Sequence, residues 1–155
     1  WDPTKVQDWV ASQVTRFGSK IKGIYSANDG NAGAAVAALK GAGVSVMPPI
    51  TGLDSDVDAL QRIVMGTQYM TVYSPIRPMA DKAAEVAVSL IKGETPTGDT
   101  TVTTPSGASV PASLVEPVPV TAGNIETTIV KDGFHTVAEI CTTVYADACA
   151  KAGLK

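Results

Sequence analysis

Two polar side chains stand where an apolar, strand-like run gives way to a helix-like one. Asn28 lies in Ser26-Ala27-Asn28-Asp29-Gly30, directly after Ile21-Lys22-Gly23-Ile24-Tyr25. Asp54 lies in Thr51-Gly52-Leu53-Asp54, directly after the run from Val44 to Ile50. An amide offers both a donor and an acceptor, and an ionised carboxylate can accept from two O–H groups at once. In open α/β sheets, ligands bind outside the carboxyl ends of the strands. The pair therefore reads as a hydrogen-bonding site for a small polar molecule. Each residue also has a plainer reading. Asn at such a junction more often caps a turn or helix, although Asp29 beside it is the better cap candidate. Asp54, Ser55 and Asp56 all precede a helix-like run, so Asp54 has two spare cap candidates next to it.

Other chemistry is sparse. His135 is the single histidine, so no metal-ligand cluster and no nucleophile–base pair can be assembled around it. Its expected place is a surface or tail contact. This argues against an enzyme, and no cofactor is expected. Cys141 and Cys149 can form one disulfide, which would fit an oxidising compartment; two reduced thiols on a terminal helix are the alternative. Eight residues of straight helix rise about 12 Å, beyond the Cα separation a disulfide tolerates. A bond would therefore require the helix to break between them.

A length of 155 residues supports one domain with a sizeable core and not two large ones. The formal net charge of −3, with no run of like charges, argues against nucleic acid as a partner. No apolar stretch is long enough to span a bilayer. Residues 1–3 carry no signal-peptide pattern. Trp1-Asp2-Pro3 is not a natural-looking start, and a processed product or a piece of a longer chain is expected.

The elements that must position these residues follow from periodicity. Val6, Trp9, Val10, Val14 and Phe17 share one helical face, which predicts a helix over Pro3–Phe17, with Asp2 as N-cap and Gly18 as stop. Ile21–Ala27 reads as a buried strand. A second helix runs from Asp29 or Gly30 to Lys40. Val44–Thr51 reads as a second strand, with Pro48-Pro49 placing it at an edge or bulge. A third helix covers Val57–Val64, and Tyr69–Tyr73 is β-rich. A longer helix is expected over Met79–Lys92, with Ala83, Val86, Ala87, Leu90 and Ile91 as its apolar face. Glu94–Val110 suits a loop or hairpin, and Val110–Val120 an extended crossover. Asn124 can cap a short helix over Ile125–Lys131, and the tail from Thr136 to Ala152 is helical in part. The order α-β-α-β-α-β up to Tyr73 predicts parallel strands with right-handed crossovers. Three parallel strands make a narrow sheet, and parallel sheets are buried on both faces. The chain thus reads as part of a larger α/β body.

Together these segments resemble the type I periplasmic sugar-binding proteins of ABC transporters, in their D-xylose-binding branch. The resemblance is carried by Trp1, Ser26-Ala27-Asn28-Asp29, Ala37-Ala38-Leu39, Thr51-Gly52-Leu53-Asp54, the run from Ala59 to Val64, Gly66-Thr67-Gln68, Thr71-Val72-Tyr73 and Asp132-Gly133-Phe134-His135. These span about the first 135 residues almost without gaps. No single motif is specific, but the ordered set is, and Gly-Thr-Gln followed by Thr-Val-Tyr points away from the ribose type.

The resemblance implies an α/β fold of three layers, α/β/α, with a parallel sheet, incomplete here as the C-terminal portion of a two-lobed protein. It implies that residues 1–74 form the second part of the C-terminal sugar-binding lobe. Residues 75–110 would pack on the N-terminal lobe, and residues 111–155 would form the return crossing and tail. It implies ligand-binding roles for Asn28, Asp54, Trp1 and Ser74. Trp1 would stack on the apolar face of the sugar ring; the plainer reading is a frayed terminal residue. Ser74 departs from the pattern, since the branch carries a lysine there, and this leaves the exact sugar open. Gln68 is read as structural and Tyr73 as packing near the hinge.

The function so implied is capture of an extracellular monosaccharide, xylose or a related aldose, for an ABC permease. The alternative is the effector domain of a lac-repressor-type regulator. Expected partners are the sugar, the permease and the missing N-terminal lobe as a separate, cleaved chain. The expected location is secreted, periplasmic or a cell-surface lipoprotein, its signal lying in the missing region.

Overall fold

The computed structural model describes residues 1–154. The chain divides into two compact units. One joins Trp1–Tyr73 to the stretch from Val118 onward; the other is Ser74–Pro117.

The first unit opens with helix α1, Pro3–Phe17. The Asp2 carboxylate accepts from the Lys5 N–H, Pro3 occupies the first turn where no N–H is needed, and Gly18 ends the helix at φ +51°. Helix α2, Asp29–Gly41, packs against it. Small residues at Ala32, Ala35 and Ala38 let the two helices approach, and Val10, Val36, Leu39 and Ile50 complete this core. The predicted apolar face of α1 is only partly used. Val6, Val10 and Val14 join the core, whereas Trp9 and Phe17 are exposed.

The two predicted strands on either side of α2 meet at a single parallel bridge, Ile24 with Ile50. The Ile24 N–H donates to Pro49 O at 2.9 Å and the Thr51 N–H to Ile24 O at 3.1 Å. The ladder extends no further because Pro48 and Pro49 have no N–H to give. The first of these runs is not buried as expected: Tyr25 is 88% exposed. Helix α3 covers Val57–Val64.

Strand β1, Thr71–Tyr73, is shorter than predicted. It pairs antiparallel with a partner not foreseen as a strand, Val118–Val120, within the presumed crossover. Numbering that partner β4, the register is Thr71 with Val120 and Tyr73 with Val118. Pro119 sits opposite Val72 and cannot donate, which suits an edge position. The ladder pairings here are thus one parallel bridge and one antiparallel edge ladder, while the third predicted strand adjoins the second through the Tyr69 N–H to Ile50 O and the Asp54 N–H to Val72 O, both at 3.0 Å.

A second core gathers Leu60, Ile63, Tyr73, Val120, Ile125, Ile129, Ile140, Cys149 and Leu154. The expected helix over Ile125–Lys131 is a wider π-type turn, Glu126–Val130. Asn124 does not cap it with its side chain. Its Oδ1 accepts from the Thr121 N–H and its Nδ2 donates to Pro119 O, tying the turn to the end of β4. Asn124 O takes the hydroxyls of Thr127 and Thr128, in place of the N–H an α-helix would send there. Beyond lie two short helices, named α5 (Val137–Ile140) and α6 (Ala146–Lys151). The chain breaks from helix between them, and Cys141 and Cys149 are disulfide-bonded with Cα atoms 5.8 Å apart.

In the second unit, helix α4 spans Ile76–Ile91, starting three residues earlier than predicted. Pro78 falls in its first turn, where a missing N–H costs nothing. No residue of α4 is buried. A hairpin follows, β2 (Thr100–Thr103) antiparallel to β3 (Ser109–Ala112).

Candidate functional site

The site is built on two loops of the first unit, residues 26–29 and 51–56. The Thr51 hydroxyl stitches them together, accepting from the Ser26 N–H at 3.0 Å and donating to Ser26 O at 3.3 Å. The Asp29 N–H donates to Leu53 O at 2.9 Å. Asn28 and Asp54 therefore sit on adjoining, hydrogen-bonded loops.

Asn28 is the N-cap of α2: its Oδ1 accepts from the Asn31 N–H at 3.0 Å. The cap expected of Asp29 thus belongs to Asn28. Capping engages only the oxygen. The Nδ2 of Asn28 makes no hydrogen bond among the described residues and remains a donor.

Asp54 is exposed, and its carboxylate has no hydrogen bond or ion pair among the described residues. No side chain caps α3, whose N-cap position is Asp56. The capping explanation for Asp54 therefore has no support in the structure. Its backbone is unusual, with φ +104° at Asp54 and +59° at Ser55. Such a conformation costs a non-glycine residue about 1–3 kcal/mol and persists only where surroundings enforce it. Three successive N–H groups do so: Asp54 donates to Val72 O at 3.0 Å, Ser55 to Thr71 Oγ1 at 3.2 Å, and Asp56 to Asp29 Oδ2 at 3.0 Å.

Beneath both loops lies a group that the sequence did not single out. Asp29 is 0% exposed. Its Oδ1 accepts from Gln68 Nε2 at 2.8 Å, and its Oδ2 accepts from Thr71 Oγ1 at 2.8 Å and from the Asp56 N–H. Arg62 supports this centre, donating from Nε to Gln68 Oε1 at 2.9 Å and from a terminal nitrogen to Asp29 O at 2.9 Å; it also pairs with Asp58. Burial pushes the Asp29 carboxyl above its ordinary range, and the bonds from Gln68, Thr71 and Asp56 pull it part of the way back. Asp56 is also raised, first by burial and then by the charges of Asp58 and Asp54. The structural role read for Gln68 is that of a strut to Asp29. The only sequence signal for Asp29 was a carboxylate heading an alanine-rich, buried helix.

Trp1 and Ser74 are the other two candidates. Trp1 precedes α1 and is 91% exposed, its indole uncovered. Ser74 is half-buried and is the first residue of the second unit. Tyr73 packs as expected, its ring 5.1 Å from that of Phe134, which in turn lies 4.5 Å from His135. Cavities of about 730 Å³ beside Val14, Leu39 and Val46, and about 430 Å³ beside Trp9, Phe17 and Tyr25, are not lined by Asn28 or Asp54.

A free amide donor and a free carboxylate on locked loops suit a ligand bearing several hydroxyls. Several known proteins are similar to this chain. The D-xylose-binding periplasmic protein of Escherichia coli (strain K12) is 39% identical over 140 residues, covering 90% of this chain and 42% of that protein. The D-xylose-binding periplasmic protein of Haemophilus influenzae is likewise 39% identical over the same share. Among solved structures, a carbohydrate transporter solute-binding protein from Chloroflexus aurantiacus, in complex with D-glucose, superposes with a TM-score of 0.79 at 25% identity. It covers 90% of this chain and 42% of that one. An ABC transporter solute-binding protein from Clostridium phytofermentans has the same fold, with a TM-score of 0.77 at 24% identity over 90% of this chain and 44% of that one. The chain thus spans well under half the length of these relatives. Residues 1–95 match the family described as periplasmic binding protein domain, and on that match, with the relatives above, the chain belongs to this family.

Proposed function

We propose that this chain supplies one wall of a monosaccharide site in a solute-binding protein that serves an ABC transporter. The observation that carries the reading is the Asp54 carboxylate, unpartnered among the described residues and held in a left-handed backbone on a loop hydrogen-bonded to the one that carries Asn28. Asp54 accepts from two sugar hydroxyls and Asn28 donates to a third group. The names of the relatives, with two D-xylose binders among them, support xylose or a related aldose as the ligand. The uncovered indole of Trp1 would stack on the C–H face of the ring, and Ser74 would reach a hydroxyl through water.

The opposite wall comes from the N-terminal lobe, which we take to be a separate, cleaved chain. Closure of two lobes about a hinge would trap the sugar and present a new surface to the permease. The location follows the relatives, in the periplasm or at the cell surface, with the export signal in the N-terminal portion. The Cys141–Cys149 disulfide supports an oxidising compartment, and so disfavours a lac-repressor-type regulator. These relatives are transport proteins, which supports a binding role over an enzymatic one.

The test is calorimetric titration of D-xylose, D-glucose, D-ribose and L-arabinose into the reassembled two-part protein. Saturable heat with at least one is expected, and Asp54→Ala should abolish it. No heat with any sugar, or an unchanged affinity in Asp54→Ala, would remove the assignment.

A further inference from the structure

We infer that Asp29 is the positioning residue that sets the Asp54 carboxylate in its binding geometry; the inference rests on the sugar-site reading above. Asp54 cannot hold φ +104° by itself, and no bond from its own side chain helps it. What holds the turn is the inward pull of three successive N–H groups. Two of the three lead to Asp29. The Asp56 N–H reaches its Oδ2 directly, and the Ser55 N–H reaches it through the Thr71 hydroxyl, which donates its proton to that same oxygen.

The donor–acceptor sense matters. Because Thr71 Oγ1 donates to Asp29, its lone pairs face the Ser55 N–H. An acceptor-only group at position 29 therefore fixes the direction of the whole chain of bonds. Asp29 also fixes the second loop, since its N–H holds Leu53 O and its own backbone begins α2 immediately after Asn28. One buried residue thus registers both loops, its carboxylate holding the turn of Asp54–Asp56 and its backbone N–H holding Leu53 O beside Asn28.

Asp29→Asn keeps the shape and places an N–H₂ against donors. Thr71→Val keeps the volume and removes the relay, and Thr71→Ser restores the hydroxyl. The measurements are crystal structures, read at the Asp54 and Ser55 φ angles, and D-xylose and D-glucose affinities of the reassembled protein well below its melting temperature. Asp29→Asn and Thr71→Val should lose the left-handed turn and weaken sugar binding by about 10- to 100-fold, with Thr71→Ser close to wild type.

A folded Thr71→Val protein with both φ angles and native affinity retained would overturn the inference. So would a variant that is destabilised but binds normally once folded. Should Asp29→Asn fail to fold, the Thr71 pair decides. Should the wild type bind no sugar, the functional reading fails, while the φ angles of the variants still judge the positioning role.

Discussion

At Gly52 a hydrogen atom stands where any other residue would place a methyl group 1.9 Å from Asp29 Oδ1 and 2.5 Å from Gln68 Nε2. The loop approaches the buried carboxylate so closely that position 52 admits no side chain. Gly52→Ala should destabilise the protein by about 1–3 kcal/mol, measured by urea denaturation, because neither partner is the far end of a free side chain. A variant within about 0.5 kcal/mol of wild type would mean that the Asp29 centre relaxes easily. At this scale, the sequence singled out the residues proposed for ligand chemistry but not the one proposed to set their geometry. Asn28 and Asp54 stood out as polar groups at strand ends. Asp29 looked like a cap because its partners, Gln68 and Thr71, lie 39 and 42 residues away. No local pattern connects them. The Asn28 cap was legible as the plainer reading of that residue, and only the preference for Asp29 as the cap was misplaced.

Helices were the legible elements. The bounds of α1 and α3 match the expected ones, α1 between its Asp2 cap and Gly18 stop, whereas α4 starts three residues before the expected Met79 and ends one before Lys92, with Pro78 sitting harmlessly in its first turn. Strands were less legible, since their existence depends on partners remote in sequence. Val118–Val120 contains a proline and reads as crossover, yet pairs with β1. Ile21–Ala27 has strand composition, yet meets its neighbour at one bridge. At α5 the local chemistry is complete: Thr136 and Glu139 form a reciprocal capping box. The Thr136 N–H first, and then its hydroxyl, hold Glu139 below its ordinary value of 4.5. A carboxylate lowered in this way stabilises the folded state above its unfolded value and ceases to do so as pH falls through its folded one. The difference in melting temperature between wild type and Glu139→Ala should therefore be constant above pH 4.5 and shrink on further acidification. A difference that grows on acidification would contradict the box.

For the molecule as a whole, the family was visible in an ordered set of weak motifs, and the narrow sheet pointed to a larger body. The chain spans 42% of its D-xylose-binding relatives. On the proposal that Asn28 and Asp54 supply one wall of a two-walled site, this chain by itself should bind D-xylose at least about tenfold more weakly than the reassembled protein, in parallel titrations. Equal affinity would show that one wall suffices. The incomplete sheet has a further result. Ile24 directs both its backbone groups toward Pro49 and Thr51, so those of Gly23 and Tyr25 face outward, with no partner among the described residues. Trp9, Phe17 and Tyr25 line the groove alongside. An unguarded row of donors and acceptors flanked by aromatics is a template for pairing with another copy of itself. Lys20 and Lys22 are the charges that oppose such stacking. Self-association of this chain, followed by light scattering, is therefore expected to rise with ionic strength, which screens those two lysines.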